Sequence, residues 1–398
     1  MEAAEQNCNK HDSNSDEKTI LINDITNNII KREDYKNHEV KIKLNSIEEQ
    51  GFLGSTCEVD IKGVKEDREQ ETNLFIKIMN SSNFTFIKVP EAYANELFVY
   101  RNLAKVFEDL QEAYNVPEAE RYKMVKSYPE SSSNVIVLEN LHNKGYRTHH
   151  RSKIVSLDFA VSAVKELAKF HALSFAIKEK RPKYFERHLQ NMNHPYVFNE
   201  DWSNFIDNFL AITMKYVSND VRRKLEVFKM MFLEKYRMYL EDDTHKRCLC
   251  HGDYRPSNIL KKEINGKVSE VIPIDYQLVY YGCPVMDLIY FIFASLDQKM
   301  RQNIPYIKDM YYESLKSFLT YFNIEVQDVL PRNEFEVMYK ERLDYGLQTS
   351  LVMIPILMTP DDDLTELDAM TTISQDTNKE CQERMIGIIN DFIEWGYL

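Results

Sequence analysis

The chain has 398 residues, enough to bury a large core in one two-lobed unit or in two or three domains. Its 50 Lys and Arg against 63 Asp and Glu leave a formal net charge of −13, which makes nucleic acid a poor default partner. Hydrophobic content of 43% is that of an ordinary globular protein, and no run of about 18 apolar residues is present to span a bilayer.

In chain order, residues 1–18 are rich in Asn, Asp, Glu and Ser and are expected to be disordered. They contain neither the basic nor the apolar segment of a signal peptide, so a cytoplasmic protein is expected. A helix is permitted from there to about Ile42. Three strand signals follow: Cys57–Val64, Asn73–Met79 and Asn134–Leu138. Between the second and third lies a helix with Pro90 near its first turn and Ala94, Leu97, Arg101 and Leu103 at helical spacing. After residue 150 helices dominate: Leu157–Lys178, Trp202–Tyr216 and Val221–Leu240. A β-rich patch at Cys248–Tyr280 interrupts them, and helices resume from Val285. The order predicts an α+β, two-lobed, protein-kinase-like fold. The N-lobe, residues 19–138, would be small and β-rich, and the C-lobe, residues 139–398, large and mainly helical.

The chemistry concentrates in HGDYRPSNIL at His251–Leu260, where Asp253 and Asn258 stand five residues apart. Phosphoryl transfer needs a carboxylate to accept or orient the hydroxyl proton. It also needs hard oxygen ligands for Mg²⁺. An Asp and an Asn on one short loop supply both. VIPIDYQ at Val271–Gln277 adds Asp275 at the end of an apolar strand, and the turn at Ile264–Lys267 makes Asn258–Asp275 a hairpin that returns Asp275 beside Asn258. Lys77 sits alone in the apolar run LFIKIM, where a charge needs an anion. Glu96, on the next helix, completes the pattern of a strand Lys held by a helix Glu and aimed at ATP phosphates. Taken singly, each residue also has an ordinary structural role; their joint order points to an ATP- and Mg²⁺-dependent kinase. GFLGSTCEV at Gly51–Val59 offers a phosphate-cradling turn with Ser55 or Thr56 as donor. Cys248-x-Cys250 has no second ligand pair nearby in sequence, so buried reduced thiols are expected there and not zinc.

HGDYRPSNIL followed by IDYQLVYYGCPVMDLIYFIF resembles the ecdysteroid-kinase-like family of insects, relatives of choline kinases and aminoglycoside phosphotransferases. VLENLHNKGYR at Val137–Arg147 and KELAKFHALSFAIK at Lys165–Lys178 are similar to further segments of that family, over roughly residues 45–330. The resemblance implies Asp253 as catalytic base, Asn258 and Asp275 as Mg²⁺ ligands, and Lys77 with Glu96 on the ATP phosphates. It implies the Glu139–Leu141 backbone against adenine. His251 would brace the loop, Asp287 would be a helix cap or loop brace and not a ligand, and His171 would be a satisfied core histidine. Asp-Tyr-Gln in place of Asp-Phe-Gly speaks against a protein kinase. Tyr254-Arg255 departs from the family's usual Leu-Trp and bears on acceptor choice.

The acceptor region is expected between the catalytic loop and residues 180–245 and 300–398, lined by Met, Phe and Tyr such as Met214, Met230, Met231, Phe232, Tyr236, Met238, Tyr290 and Tyr345. The residues say only a small-molecule alcohol, and the resemblance implies an ecdysteroid-like one, phosphorylated on a hydroxyl such as that at carbon 22. The alternatives are a choline-like amine, an aminosugar or a xenobiotic alcohol. A catalytically dead kinase fold used as a binding module is the rival from another class.

Overall fold

The computed structural model describes residues 2–44, 54–79, 85–243, 245–359 and 378–398, with side chains from residue 17 onward. The chain forms two compact units: residues 1–82 with 125–144, and residues 83–124 with 145–398.

The first unit is a four-stranded antiparallel sheet in the order β1 (Lys36–Leu44), β2 (Gly54–Lys65), β3 (Arg68–Met79), β4 (Val135–Glu139), with helix α1 (Glu2–Arg32) on one face. Ile22, Ile25, Ile29 and Ile30 recur at helical spacing on α1. They bury against Cys57, Val59, Ile61, Leu74, Ile76, Ile78, Val135 and Val137 of the sheet. Each such side chain contributes about 1.5–3 kcal/mol on burial. Two expectations change here. Residues 2–18, expected without structure, have helical backbone continuous with that anchored half. β1 went unpredicted because all nine of its residues are exposed, so it carries no burial pattern; backbone pairing to β2 holds it.

The second unit opens with α2 (Val89–Phe98), a π-helical turn at Val99–Leu103, and α3 (Ala104–Ala113). Pro90 sits in the first turn of α2, where its missing N–H costs nothing. This stretch belongs to the second unit, so the expected single boundary at 138/139 gives way to crossings after residues 82, 124 and 144. The physical reason is that α2 packs against the turn Tyr276–Leu278, with Asn95 Nδ2 donating to the Val279 carbonyl. β5 (Tyr146–Thr148) precedes α4 (Leu157–Lys180), capped by Ser156, and then come α5 (Pro182–His188), α6 (Glu200–Met214) and α7 (Asn219–Glu241). β6 (Cys248–Cys250) pairs with β9 (Tyr280–Gly282), and β7 (Ile259–Ile264) with β8 (Lys267–Pro273) forms a hairpin. Asn265 and Gly266 both have positive φ in its two-residue turn, the conformation that suits strand twist.

α8 (Val285–Ser295) is buried on every side, which explains its unbroken apolar run. α9 (Gln298–Arg301), α10 (Ile304–Thr320), α11 (Val326–Val329), α12 (Arg332–Glu341), α13 (Asp344–Met358) and α14 (Lys379–Glu394) complete the unit. Among the described residues no helix is long and apolar enough to cross a membrane.

Candidate active site

Asp253 lies on the loop between β6 and β7 and is 7% exposed. Every acceptor position on it that the structure fills is filled by a donor. Tyr290 OH donates to Oδ1 at 2.7 Å, Arg255 Nε to Oδ1 and Oδ2 at 3.1 Å, and Asn258 Nδ2 to Oδ2 at 2.7 Å. Burial alone would lower the pKa of Arg255, but its anionic neighbours, Asp253 before Asp275, outweigh it and raise it. The guanidinium is therefore a fixed positive charge against the loop carboxylate. Burial, and then Asp253, pushes the Tyr290 phenol well above its ordinary value, so it stays a neutral donor.

The loop is braced by α8. Asp287, in the first turn of α8, accepts the backbone N–H of His251 at 2.6 Å and of Gly252 at 2.9 Å. It also meets His171 Nε2 at 3.1 Å, while His171 Nδ1 meets Tyr311 OH at 2.6 Å. His251 Nε2 bonds the Ile274 carbonyl at 3.0 Å, and its Nδ1 accepts the Asp253 N–H at 3.3 Å. That pairing requires the neutral Nε2–H tautomer, in keeping with burial, which pushes the His251 pKa down. Tyr254 OH ties the loop to α4 by donating to the Ala163 carbonyl at 2.7 Å. His251 and Asp287 brace the loop, and His171 is buried with both ring nitrogens in hydrogen bonds.

The hairpin brings Asn258 and Asp275 to its two ends. Ile274 N–H donates to the Asn258 carbonyl at 2.9 Å, one step from Asp275. Asn258 spends Nδ2 on Asp253, which leaves Oδ1 as the side-chain atom able to ligate. Asp275 adopts a left-handed conformation with φ 68°, and Gln277 Nε2 donates to its Oδ2 at 3.3 Å. An amide oxygen and a carboxylate at adjacent strand ends are hard ligands of the kind Mg²⁺ takes, so the residues fit that ion. Glu96, 2% exposed, lies on α2 one turn before Tyr100, which packs edge-on to Tyr276 at 5.4 Å between ring centroids.

In the first unit, Lys77 is 6% exposed and pairs across the sheet with Thr56 and Ile136, on the face opposite α1. Ser55 pairs with Ile78 on the α1 face, where Lys18 Nζ donates to its Oγ at 2.9 Å. Of the two donors weighed in the sequence, Thr56 therefore shares the face of Lys77 and Ser55 does not. Gly51–Leu53 of that turn lie outside the described residues. At the end of β4, Glu139 N–H and Asn140 N–H are bonded to the Lys126 and Asn73 carbonyls, and Glu139 pairs with Lys144 at 2.7 Å. Leu141 follows, 7% exposed, with no backbone partner for its N–H among the described residues.

The sequence placed Tyr236, Tyr290 and Tyr345 in the acceptor region but missed Arg255 as the clamp on Asp253 and Tyr196, Phe198 and Trp202 as ring neighbours of Tyr236. Burial, with the charge of Asp253 a lesser cause, raises the pKa of Tyr196 and Tyr236, the latter to about 12. Tyr236 packs tilted or edge-on in a cluster with Trp202, Tyr345, Phe198 and Tyr196, at 5.3, 5.4, 6.3 and 6.4 Å between centroids. Of the methionines expected to line the acceptor region, Met230, Met231 and Met238 are exposed, because α7 turns Phe228, Phe232 and Tyr236 inward instead. Residues 360–377 of the expected acceptor region lie outside the described residues.

No curated protein matches the chain in sequence. Among solved structures it is similar to choline kinase from Cryptosporidium parvum Iowa II, at 10% identity over 90% of this chain and 91% of that one, with a TM-score of 0.48. It is also similar to an aminoglycoside-3′-phosphotransferase of type VIII, at 15% identity over 83% and 98%, TM-score 0.37. A third is an aminoglycoside phosphotransferase in complex with GDP and kanamycin, at 10% identity over 93% and 98%, TM-score 0.41. The family model described as the ecdysteroid kinase-like family matches residues 48–324, well over half of the chain and the whole of the catalytic loop and hairpin, and the chain belongs to that family.

Proposed function

We propose that this small-molecule kinase transfers the γ-phosphate of ATP to a hydroxyl of a neutral, flat, ecdysteroid-like alcohol. Asp253 receives and orients that hydroxyl. In a loose phosphoryl-transfer transition state the proton leaves late, so a carboxylate tied to Arg255 is basic enough. Asn258 Oδ1 and Asp275 would hold Mg²⁺, which when bound neutralises charge on the phosphates. Lys77 contributes its ammonium to the phosphates, Thr56 a hydroxyl donor, and the Leu141 N–H a contact for adenine. A cytoplasmic setting, where ATP is supplied, belongs to the same proposal.

The observation that supports the acceptor class is the pairing of Asp253 with Arg255, in a unit that also holds a cluster of Tyr and Trp rings. A choline-like or aminosugar acceptor needs uncompensated negative charge or an aromatic cage free of competing cations. Here a permanent guanidinium cancels the carboxylate, which favours a neutral ring system against Tyr and Trp faces. A phosphotransfer screen with labelled ATP tests this. Polycyclic neutral alcohols are expected to exceed choline and aminosugars by about 10²-fold in kcat/KM; preferential labelling of the amines would sink the reading.

Asp275→Ala is expected to remove the Mg²⁺-dependent part of nucleotide binding. For the native chain, Mg·ATP at a hundred times its Kd stabilises by about 2.7 kcal/mol, and thermal melting should show that gain vanish in the variant. An undiminished Mg²⁺-dependent shift would remove Asp275 from the ligand set.

A further inference from the structure

The C-x-C pair of β6 looks unremarkable in sequence, yet the fold brings a third soft ligand to it. Cys248 and Cys250 alternate along the strand onto one face, both with no exposure, and neither is in a disulfide. His171, on α4 and likewise fully buried, completes a cluster in which the ligating atoms of all three lie within 4.8 Å of one another. A fourth polar atom joins them: Tyr311 OH of α10 meets His171 Nδ1 at 2.6 Å. Burial, and then the two sulfurs, shifts the Tyr311 phenol well upward, so it is a neutral hydroxyl.

The outer contacts are those of a metal-binding histidine. A ligating imidazole commonly donates its second N–H to a carboxylate, which fixes the tautomer and makes the other nitrogen the better donor. Asp287 stands in that place, 3.1 Å from His171 Nε2. Its acceptor sites are otherwise filled by the His251 and Gly252 amides, so it is held rigidly in position. Cys248 and Cys250 have only weak calls on their sulfurs, Cys250 contacting the carbonyls of Cys248 and Cys283 at 3.7 and 3.4 Å.

We propose that His171 Nδ1, Cys248 Sγ, Cys250 Sγ and Tyr311 OH form a closed tetrahedral site for a soft divalent cation of the zinc class, directly behind the catalytic loop. Zinc–sulfur bonds of about 2.3 Å and zinc–nitrogen bonds of about 2.0 Å set ligand atoms about 3.5–3.8 Å apart, so the cluster closes by small side-chain rotations. On binding, each thiol loses a proton as its metal–sulfur bond forms, two protons in all, which pass to the buffer. Nδ1 gives up its hydrogen bond to Tyr311 and coordinates through its lone pair. Nε2–H stays on Asp287, and the phenol coordinates as a neutral hydroxyl. The metal and two thiolates then sum to zero charge, as a buried site requires.

The test uses the full chain, stripped with chelator and kept reduced, titrated with Cd²⁺. A sulfur-to-cadmium charge-transfer band saturating at one ion per chain is expected, with a rise in melting temperature. The Cys248→Ser/Cys250→Ser pair should abolish the band, the Cys57→Ser/Cys381→Ser pair should keep it, and Asp287→Asn should weaken binding by about 10–100-fold. Absence of the band, or a band that survives loss of Cys248 and Cys250, overturns the proposal. Should the paired variant fail to fold, the Co²⁺ spectrum of the native chain decides: intense tetrahedral bands with thiolate charge transfer support the site, and a weak octahedral spectrum refutes it.

Discussion

Asp253→Asn should lower kcat by about 10²–10⁴-fold, the usual contribution of a positioned acid–base group, and should also destabilise the fold. The second effect follows from the donors around it. Tyr290 and Arg255 donate to one oxygen, and Arg255 and Asn258 to the other. An amide NH₂ at either position meets a donor instead of an acceptor, and the buried Arg255 guanidinium loses the carboxylate charge of Asp253. Breaking a buried ion pair from one side costs about 3–5 kcal/mol. The double variant Asp253→Asn/Arg255→Met should recover much of that stability, measured by urea unfolding, with no recovery of turnover. Turnover near the native rate in the single variant would end the assignment of Asp253, and full stability in it would show that the Arg255 pair is not formed.

Gly252→Ala is expected to be nearly as damaging although it adds one methyl group. Gly252 has φ +79°, and a Cβ built there falls 2.2 Å from the Leu278 carbonyl oxygen. The left-handed conformation costs an alanine about 1–2 kcal/mol. The clash is the larger problem, because the obstacle is backbone and cannot rotate away. Leu278 ends the turn that follows Asp275, so the loop carrying Asp253 and the hairpin carrying Asp275 abut at this bare Cα. Forcing them apart by about 1 Å is enough to cost about 10²-fold in rate. Circular dichroism and thermal melting separate misfolding from misplacement. A variant that folds and turns over normally would show that the two segments can separate without consequence.

The parts of this protein that were legible in the sequence are those whose chemistry is local. The hairpin was readable from Asn265-Gly266, because only such residues take the paired positive φ of its turn. Lys77 stood out as a charge among apolar neighbours. The rest depends on which face a residue occupies once strands pair. Ser55 and Thr56 are neighbours in sequence, but β2 sends one toward α1 and the other to the face of Lys77. β1 escaped notice because an exposed edge strand is specified by its partner's backbone and not by its own side chains. Arg255 was visible as a departure from the family pattern, yet that it would clamp Asp253 requires the loop's three-dimensional turn. The His171 cluster is the extreme case, since its nitrogen lies 77 positions before the first of its sulfurs.

The carboxylate of Asp287 has a mechanical consequence. By grasping two successive amides and an imidazole, it welds His251 and Gly252 to the first turn of α8 and to α4. A segment irregular in outline thereby acquires the stiffness of the helices it touches. Asp253 behaves less like the tip of a swinging arm than like an anvil, and whatever rearrangement accompanies substrate entry has to be absorbed elsewhere in the chain.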